Sequence, residues 1–302
     1  MPNTLCHIGI QAPLSGLLLR RDQLIWVIIA CIIPDLPWIV LKCLIPLEIF
    51  DPYDLRLYCT AQASLFFCLF GSAALACYTA QSGRIFMILG SNCLVHLILD
   101  SLEIKWGNGV HFIAPYSWTM QHLDRAWPEH PVILGLTLVG IVVLIWCWKG
   151  SLRCSAPLCQ PGPAKAASGL VLLACYLLGP ILFLPQLEAA DTYSIHTLRL
   201  KEARPGKPIA FDRAHYFAES QTLRTFAGEQ IRVIGSQPMD SGRVSFRGHF
   251  LTPTSFSSTS HHYHRDYRDQ ATLVGLFMAC TLLLQSLLLP HFQARKNNQG
   301  PP

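Results

Sequence analysis

Residues 92–118, NCLVHLILDSLEIKWGNGVHFIAPYSW, decide how the chain is read. The stretch opens inside a long apolar run, yet it carries His96 and Asp100 four positions apart. At helical spacing those two side chains share one face. Ionisable groups inside a membrane-length apolar helix are costly, and they persist by pairing with one another or by binding something. The rest of the chain has to supply what they face.

Composition points to a membrane protein. Of 302 residues, 51% are hydrophobic and 14% charged, and the mean hydropathy is +0.35; soluble domains carry roughly a quarter charged residues. The net charge of +5 comes from Lys and Arg at the ends of apolar segments and in one polar region. They read as orientation anchors, and no basic stripe suited to nucleic acid is present. Twelve cysteines are scattered singly, mostly in apolar segments, as Cys31, Cys68, Cys93 and Cys175 are. They read as small packing residues, not as a disulfide framework. Cys154 and Cys159 lack the second pair that a zinc site needs. Arg20 and Arg21 follow the first apolar stretch instead of preceding it, so no secretory signal is expected. No G-x-S-x-G, Walker loop, Rossmann fingerprint or H-E-x-x-H occurs, which leaves serine-nucleophile and nucleotide chemistry without a basis.

Residues 5–19 are apolar but short of the roughly 20 residues a crossing needs, and they read as a re-entrant helix ahead of the Arg20-Arg21-Asp22 turn. Six spans are expected at 24–47, 61–80, 85–104, 131–148, 168–187 and 271–290. The first is interrupted by Pro34-Asp35-Leu36-Pro37, a break tolerated at depth only where protein or a water-filled cavity satisfies the freed backbone. A polar loop covers 48–58, and Gly179-Pro180 should kink the fifth span. Between 188 and 270, alternating pieces at 193–200, 230–234 and 244–251, separated by turn residues, predict a small β domain. The fold class expected is therefore mainly α: a polytopic membrane helix bundle of about six spans plus the re-entrant helix. A small extramembrane β domain is inserted before the last span. Residues 1–187 form the membrane domain, 188–270 the β domain, and 271–302 the last span with its tail.

The positive-inside rule, counted over short loops, assigns the Arg20-Arg21 turn, the Arg84 turn, the 149–167 linker with Lys149, Arg153 and Lys165, and the tail with Arg295 and Lys296 to the inside. The β domain then faces outward. Counting 1.5 Å per residue from those anchors puts Asp35 about 21 Å up, His96 and Asp100 about 18 and 24 Å, and His7 about 20 Å if the first helix folds back. Four ligand-type residues thus reach one level. Two imidazoles and two carboxylates make a first shell for a divalent metal, zinc being one candidate. The alternative is that His96 and Asp100 hydrogen-bond each other and tie helices together.

CHIG at 6–9, IIPDLP at 32–37 and VHLILDSL…WGNGVHFIAP at 95–115 resemble the bacterial inner-membrane metal-dependent hydrolases of the LexA-binding type. The likeness covers about residues 1–120. It implies a divalent metal, zinc first, held by His7, Asp35, His96 and Asp100, and hydrolysis of a phosphoester, here of a lipid or lipid-linked substrate. It also implies the bacterial inner membrane, in which the charge count above puts both termini on the cytoplasmic side and 188–270 on the periplasmic side. The chain departs from the family pattern at Pro37, where a second acid is expected. The family's His-Arg-Gly-x-Thr-His-Ser block has no counterpart at 54–67, where Ser64 is the match and Arg56 a weak echo. Asp51, Asp54 and Gln62 are conceivable substitutes. His111 and Ser64 are candidates for a substrate contact or an additional ligand.

Three functions remain open on the sequence: a membrane hydrolase; a catalytically inactive relative that binds a protein or other ligand through its β domain; and a transporter using these residues as a proton or ion relay. His122, Asp124 and His130 read as loop residues near the site. In the run HHYHRDYRD at 261–269, His262, His264 and Asp266 would alternate onto one face, as a metal or headgroup site or as a polar collar before the last span. Trp106, Trp118 and Trp127 fit an aromatic belt at the outer boundary, and membrane lipids are the expected surroundings.

Overall fold

Asn3 starts the first helix and also anchors it. Its Oδ1 accepts from the Cys6 N–H at 2.9 Å, an N-cap for α1 (Thr4–Gly16). Its Nδ2 donates to Thr137 Oγ1 at 2.8 Å on α7 (Pro131–Lys149). The two helices meet backbone to backbone: a Cβ on Gly9 would strike the Leu136 carbonyl, and one on Gly140 the Leu5 carbonyl. Small residues permit such approaches between apolar helices. The computed structural model describes residues 3–17, 19, 23–149 and 158–298. The Arg20-Arg21-Asp22 turn, Arg153 and Cys154 lie outside the described residues. The eleven described cysteines are all free.

The chain is mostly helical, with a separate small β domain near its C-terminal end. Pro34 and Pro37 do not unwind the first long segment. α2 (Leu24–Ile32), one tight 3₁₀ turn (Ile33–Asp35) and α3 (Leu36–Leu44) follow each other, and each proline falls in the first turn of a new piece, where its missing N–H costs nothing. The expected loop at 48–58 is corrected, since most of it is helical, and the segment expected as a span at 61–80 begins with a bend. Asp51 caps a helix, its Oδ1 accepting from Tyr53 N at 2.9 Å and Asp54 N at 3.0 Å, and Pro52 begins α4 (Pro52–Gln62). After a break at Ala63 and Ser64 the chain restarts as α5 (Leu65–Cys77), turned by 68°.

α6 (Ser82–Leu102) carries His96 and Asp100. α8 (Pro163–Leu178) runs into a 3₁₀ turn at Gly179–Phe183, as the Gly-Pro pair predicts, and then into α9 (Leu184–Ala189). Among the described residues four helices, Leu24–Leu47, Ser82–Leu102, Pro131–Trp148 and Pro163–Ala189, are long and apolar enough to cross a membrane, and the bent pair makes a fifth if counted as one span. α11 (Tyr267–Asn298) covers the sixth expected segment. Val132, Leu138 and Val142 of α7 and Leu170, Val171 and Leu178 of α8 are exposed, apolar side chains on the outer faces of two helices long enough to cross a membrane. Arg84 donates to Gln23 Oε1 at 3.0 Å and Lys165 to Ser82 Oγ at 3.4 Å, so segments next to three of the cationic turns lie at one end.

The alternating piece at 193–200 is helical instead of extended: a 3₁₀ turn (Thr192–Ser194) and α10 (Ile195–Arg199). The Asp191 carboxylate accepts from Thr197 N at 3.0 Å and Thr197 Oγ1 at 2.6 Å, and this local pairing wins over the strand-like pattern. The other two pieces are strands. β1 (Pro208–Phe217), β2 (Thr222–Arg224), β3 (Gln230–Gly235), β4 (Gly242–Thr252) and β5 (Ser255–His264) close into a barrel in the order β1-β2-β3-β5-β4. β3 and β5 are parallel and the other pairs antiparallel. Closure leaves no free edge, and Phe211, Phe246, Phe250 and Phe256 fill the interior. Such five-stranded Greek-key barrels host many unrelated functions.

Arg204 ties the barrel to the helices before it. It is fully buried. Its guanidinium donates to Glu229 at 2.7 and 2.8 Å, to Pro253 O at 2.7 Å and to Leu198 O, and its Nε donates to Thr197 O at 3.3 Å.

Candidate metal centre

Three segments converge on one buried point. α1 brings His7, the 3₁₀ turn brings Asp35, and α6 brings His96 and Asp100. His7 and His96 are 0% exposed, Asp100 4% and Asp35 8%, so water does little for any of them. The imidazoles stack face to face, centroids 3.7 Å apart and planes within 3°. His7 Nε2 lies 3.3 Å from Asp100 Oδ1; His96 Nε2 lies 3.6 Å from Asp35 Oδ1 and 3.8 Å from Asp100 Oδ2. These contacts are close but poorly aligned: neither nitrogen of either ring makes a sound hydrogen bond, nor does Asp35 Oδ1 or Asp100 Oδ1. Buried polar atoms are normally paired, so this set asks for something to fill it.

A metal ion fits. Donors of His7, His96 and Asp100 all lie within 4.8 Å of one another. Around a tetrahedral ion at about 2.1 Å, neighbouring donors stand ~3.4 Å apart. Asp35 falls outside that closest trio and reaches the group through His96. Stacking, not an outer hydrogen bond on Nδ1, sets the ring orientation. Lys105 Nζ lies 3.6 Å from Asp100 Oδ1 and 3.2 Å from Glu103 Oε2. Burial alone would lower the Lys105 pKa, but Asp100 and Glu103 outweigh it and hold the ammonium above its ordinary value.

Asp100 also lines a cavity of about 890 Å³ between the helices and the barrel. His111 lines it too, buried at 3% and set against Trp118 and Tyr193. Burial pushes its imidazole down to about 4, so it is neutral at ordinary pH. Gly107, at φ +67°, leaves room for the Ala210 carbonyl, and Asn108 Nδ2 donates to Asp212 Oδ2 at 3.0 Å. The glycine-rich loop therefore folds back against the barrel, with His111 beside the cavity. Ser64 does not reach it. It sits, buried, at the start of α5 and does not line the cavity. His122 pairs with Asp124 at 3.7 Å in an exposed position, and His130 Nδ1 accepts from Val132 N at 3.3 Å at the start of α7.

A second cluster could also hold a metal: Glu129, His262 and His264. Asp266 follows the strand and does not join it, so the alternation expected through 266 ends at His264. Here the side chains are already paired. Glu129 Oε2 meets His262 Nε2 at 3.2 Å, and Oε1 meets His264 Nδ1 at 2.9 Å. His264 Nε2 meets Ser245 Oγ at 2.8 Å, and Trp127 stacks on His262 at 3.7 Å. We read it as a clasp between the barrel and the residue stretch before α7.

Acid is expected to loosen this clasp. Burial lowers the His264 pKa more than Glu129 raises it, so the unfolded histidine takes its proton first and stability falls as pH drops through about 6.5. Burial alone would raise Glu129, but the bonds to His262 and His264 hold it well below the carboxylate range, and its contribution disappears at lower pH still. The thermal midpoint should fall between about pH 7 and about pH 5, and His264→Gln should flatten that fall. A midpoint that stays level in the wild type removes the clasp as a source of stability.

Glu129 and Arg213 carry no sequence signal by themselves, since their partners lie far along the chain; Lys105 is paired with its near neighbours Asp100 and Glu103, which spacing alone does not distinguish from an ordinary loop lysine. No family model matches the chain, and neither a curated protein nor a solved structure matches it.

Proposed function

We propose that the chain is a membrane-embedded, metal-dependent hydrolase. His7, Asp35, His96 and Asp100 hold one divalent ion, zinc for preference, and the substrate is a phosphoester of a lipid or lipid-linked molecule. One observation carries this reading: two imidazoles and two carboxylates from three segments meet out of water with their ring nitrogens unpaired. A helix tie built of hydrogen bonds would have aligned them. Two nitrogen and two oxygen donors suit zinc, and four suffice for a single ion although Pro37 replaces an acid of the family pattern. When bound, such an ion polarises the phosphoryl group and lowers the pKa of a bound water.

The chain's own groups do the rest. Lys105 holds Asp100 from the side away from His96 and balances its charge. His111, neutral and beside the same cavity, is placed to hold substrate by a ring hydrogen bond. The neighbouring positions of Gln23, Arg84, Ser82 and Lys165 support an inside face there, which turns the cavity and barrel outward, to the periplasmic side of an inner membrane. Metal analysis tests the proposal. Protein purified in an uncharged detergent should contain about one zinc-type ion per chain, and His96→Ala with Asp100→Ala should contain none. Metal-free wild type would overturn it and leave a binding role for the barrel.

A further inference from the structure

The cavity carries more positive charge than its walls neutralise. Seven Lys or Arg side chains line it against four carboxylates. Three of the seven are engaged: Lys105 with Asp100 and Glu103, Arg213 with Asp269 and Glu129, and Arg268 with Glu103 and Asp269. Arg56 is not. Among the described residues it forms no ion pair, and its Nε is shut off from solvent without a hydrogen-bond partner. Its guanidinium lies 4.3 Å from the Phe226 ring centre and 5.1 Å from that of Tyr193. Those rings orient the fork without neutralising it. A partly buried cation that no carboxylate touches, with Asp212 acting on it only from a distance, is costly, and an aromatic mount keeps it ready for an anion. Lys42, also without an ion pair among the described residues, lines the more exposed part of the cavity.

We propose that this cavity is the phosphate site of the hydrolase: Arg56 grips the phosphate oxygens of a lipid phosphate monoester or diphosphate, and Lys42 supplies a second charge. A guanidinium fork matches phosphate oxygens in pairs. More than one uncompensated cation favours a group of more than one negative charge, and a phosphate monoester carries about −1.5 to −2 near neutrality. Trp38, Leu41, Ile45 and Pro46 line the cavity from the segment around α3, giving the substrate's apolar chain a wall. Asp100 lines the same cavity, so an ion held there would stand next to a phosphoryl group gripped by Arg56. The hydrolytic part rests on the function proposed above, whereas the anion site stands on Arg56 and can be tested without it.

Purified full-length protein in an uncharged detergent is titrated with dodecyl phosphate, inorganic phosphate and dodecanol, following tryptophan fluorescence, with metal content measured in parallel. Dodecyl phosphate should bind at least about tenfold more tightly than dodecanol. Arg56→Met should remove at least about tenfold of that affinity, and Arg56→Lys should restore part of it. Competition by inorganic phosphate would mean the phosphate group alone fills the site; binding of dodecyl phosphate without such competition would make it a lipid site, and the proposal holds in both cases. Equal affinity of wild type for dodecyl phosphate and dodecanol overturns it, with no variant needed. So does a folded Arg56→Met protein that binds dodecyl phosphate like wild type. Tight, Arg56-dependent binding by a metal-free protein would defeat the hydrolase reading and keep the phosphate site.

Discussion

His7→Ala is expected to yield a folded protein that has lost its metal. The imidazole stands on α1 while its partners stand on other segments, so this substitution asks whether the centre is shared between helices. Even the outer partners of a metal ligand are worth ~10–100-fold in affinity; removing a ligand itself should cost at least about 100-fold and leave the purified protein with under about a tenth of the wild-type metal. Phosphoester hydrolysis should fall with it. Loss of α1 would not be the cause, because Asn3 still bonds Thr137 and Gly9 still meets the Leu136 backbone. Unchanged metal content would reduce His7 to a ring that packs on His96, and the site would have to be redrawn around Asp35 and Asp100.

The second large effect is expected at Arg204→Ala. Arg204 joins α10, the Glu229 turn and the Pro253 turn at one fully buried point. Removing Arg204 leaves the mostly buried Glu229 with Lys201 alone, 3.3 Å away, so the lost charge-assisted bonds cost about 1.5–3 kcal/mol instead of the full cost of a stranded charge. Three carbonyls lose a donor as well, which adds to that cost. Denaturant unfolding of the barrel should shift by that amount, and protease should cut between β1 and β5 far faster than in wild type. A change below about 1 kcal/mol would put this pair in the class of surface bridges.

Much of the helical layout is legible because length and hydropathy are local properties. The runs 24–47 and 131–148 end at Leu47 and Trp148 in the structure as on the sequence, bounded by polar loops and by Pro131. The common level of His7, Asp35, His96 and Asp100 was countable because helices rise uniformly. The bend at Ser64 was not, although its signals were present: Asp51-Pro52 is a capping pair, and Ser64 restarts the helix. Polar residues in that stretch suggested a loop where they were satisfying helix ends. Residues 193–200 alternate like a strand, but one carboxylate, Asp191, closes them into a turn. Glu129 meets His262 and His264 across 133 and 135 positions, and Arg56 stands out only because, among the described residues, no carboxylate contacts it. Neither can be read from spacing.

The seat of α1 on α7 has a consequence for biosynthesis. Leu5 and Gly9 leave the ribosome long before Gly140, whose bare backbone they meet, and His7 long before His96, which completes the stack. Until then the imidazole must wait in the bilayer or its surface without its neighbours. The barrel wall of the cavity, ending at β5, is made later still. If the centre holds an ion, as proposed, its loading would be a late event on a nearly complete chain, and truncation after α6 leaves His7 with its ring partner but without the helix that holds it there.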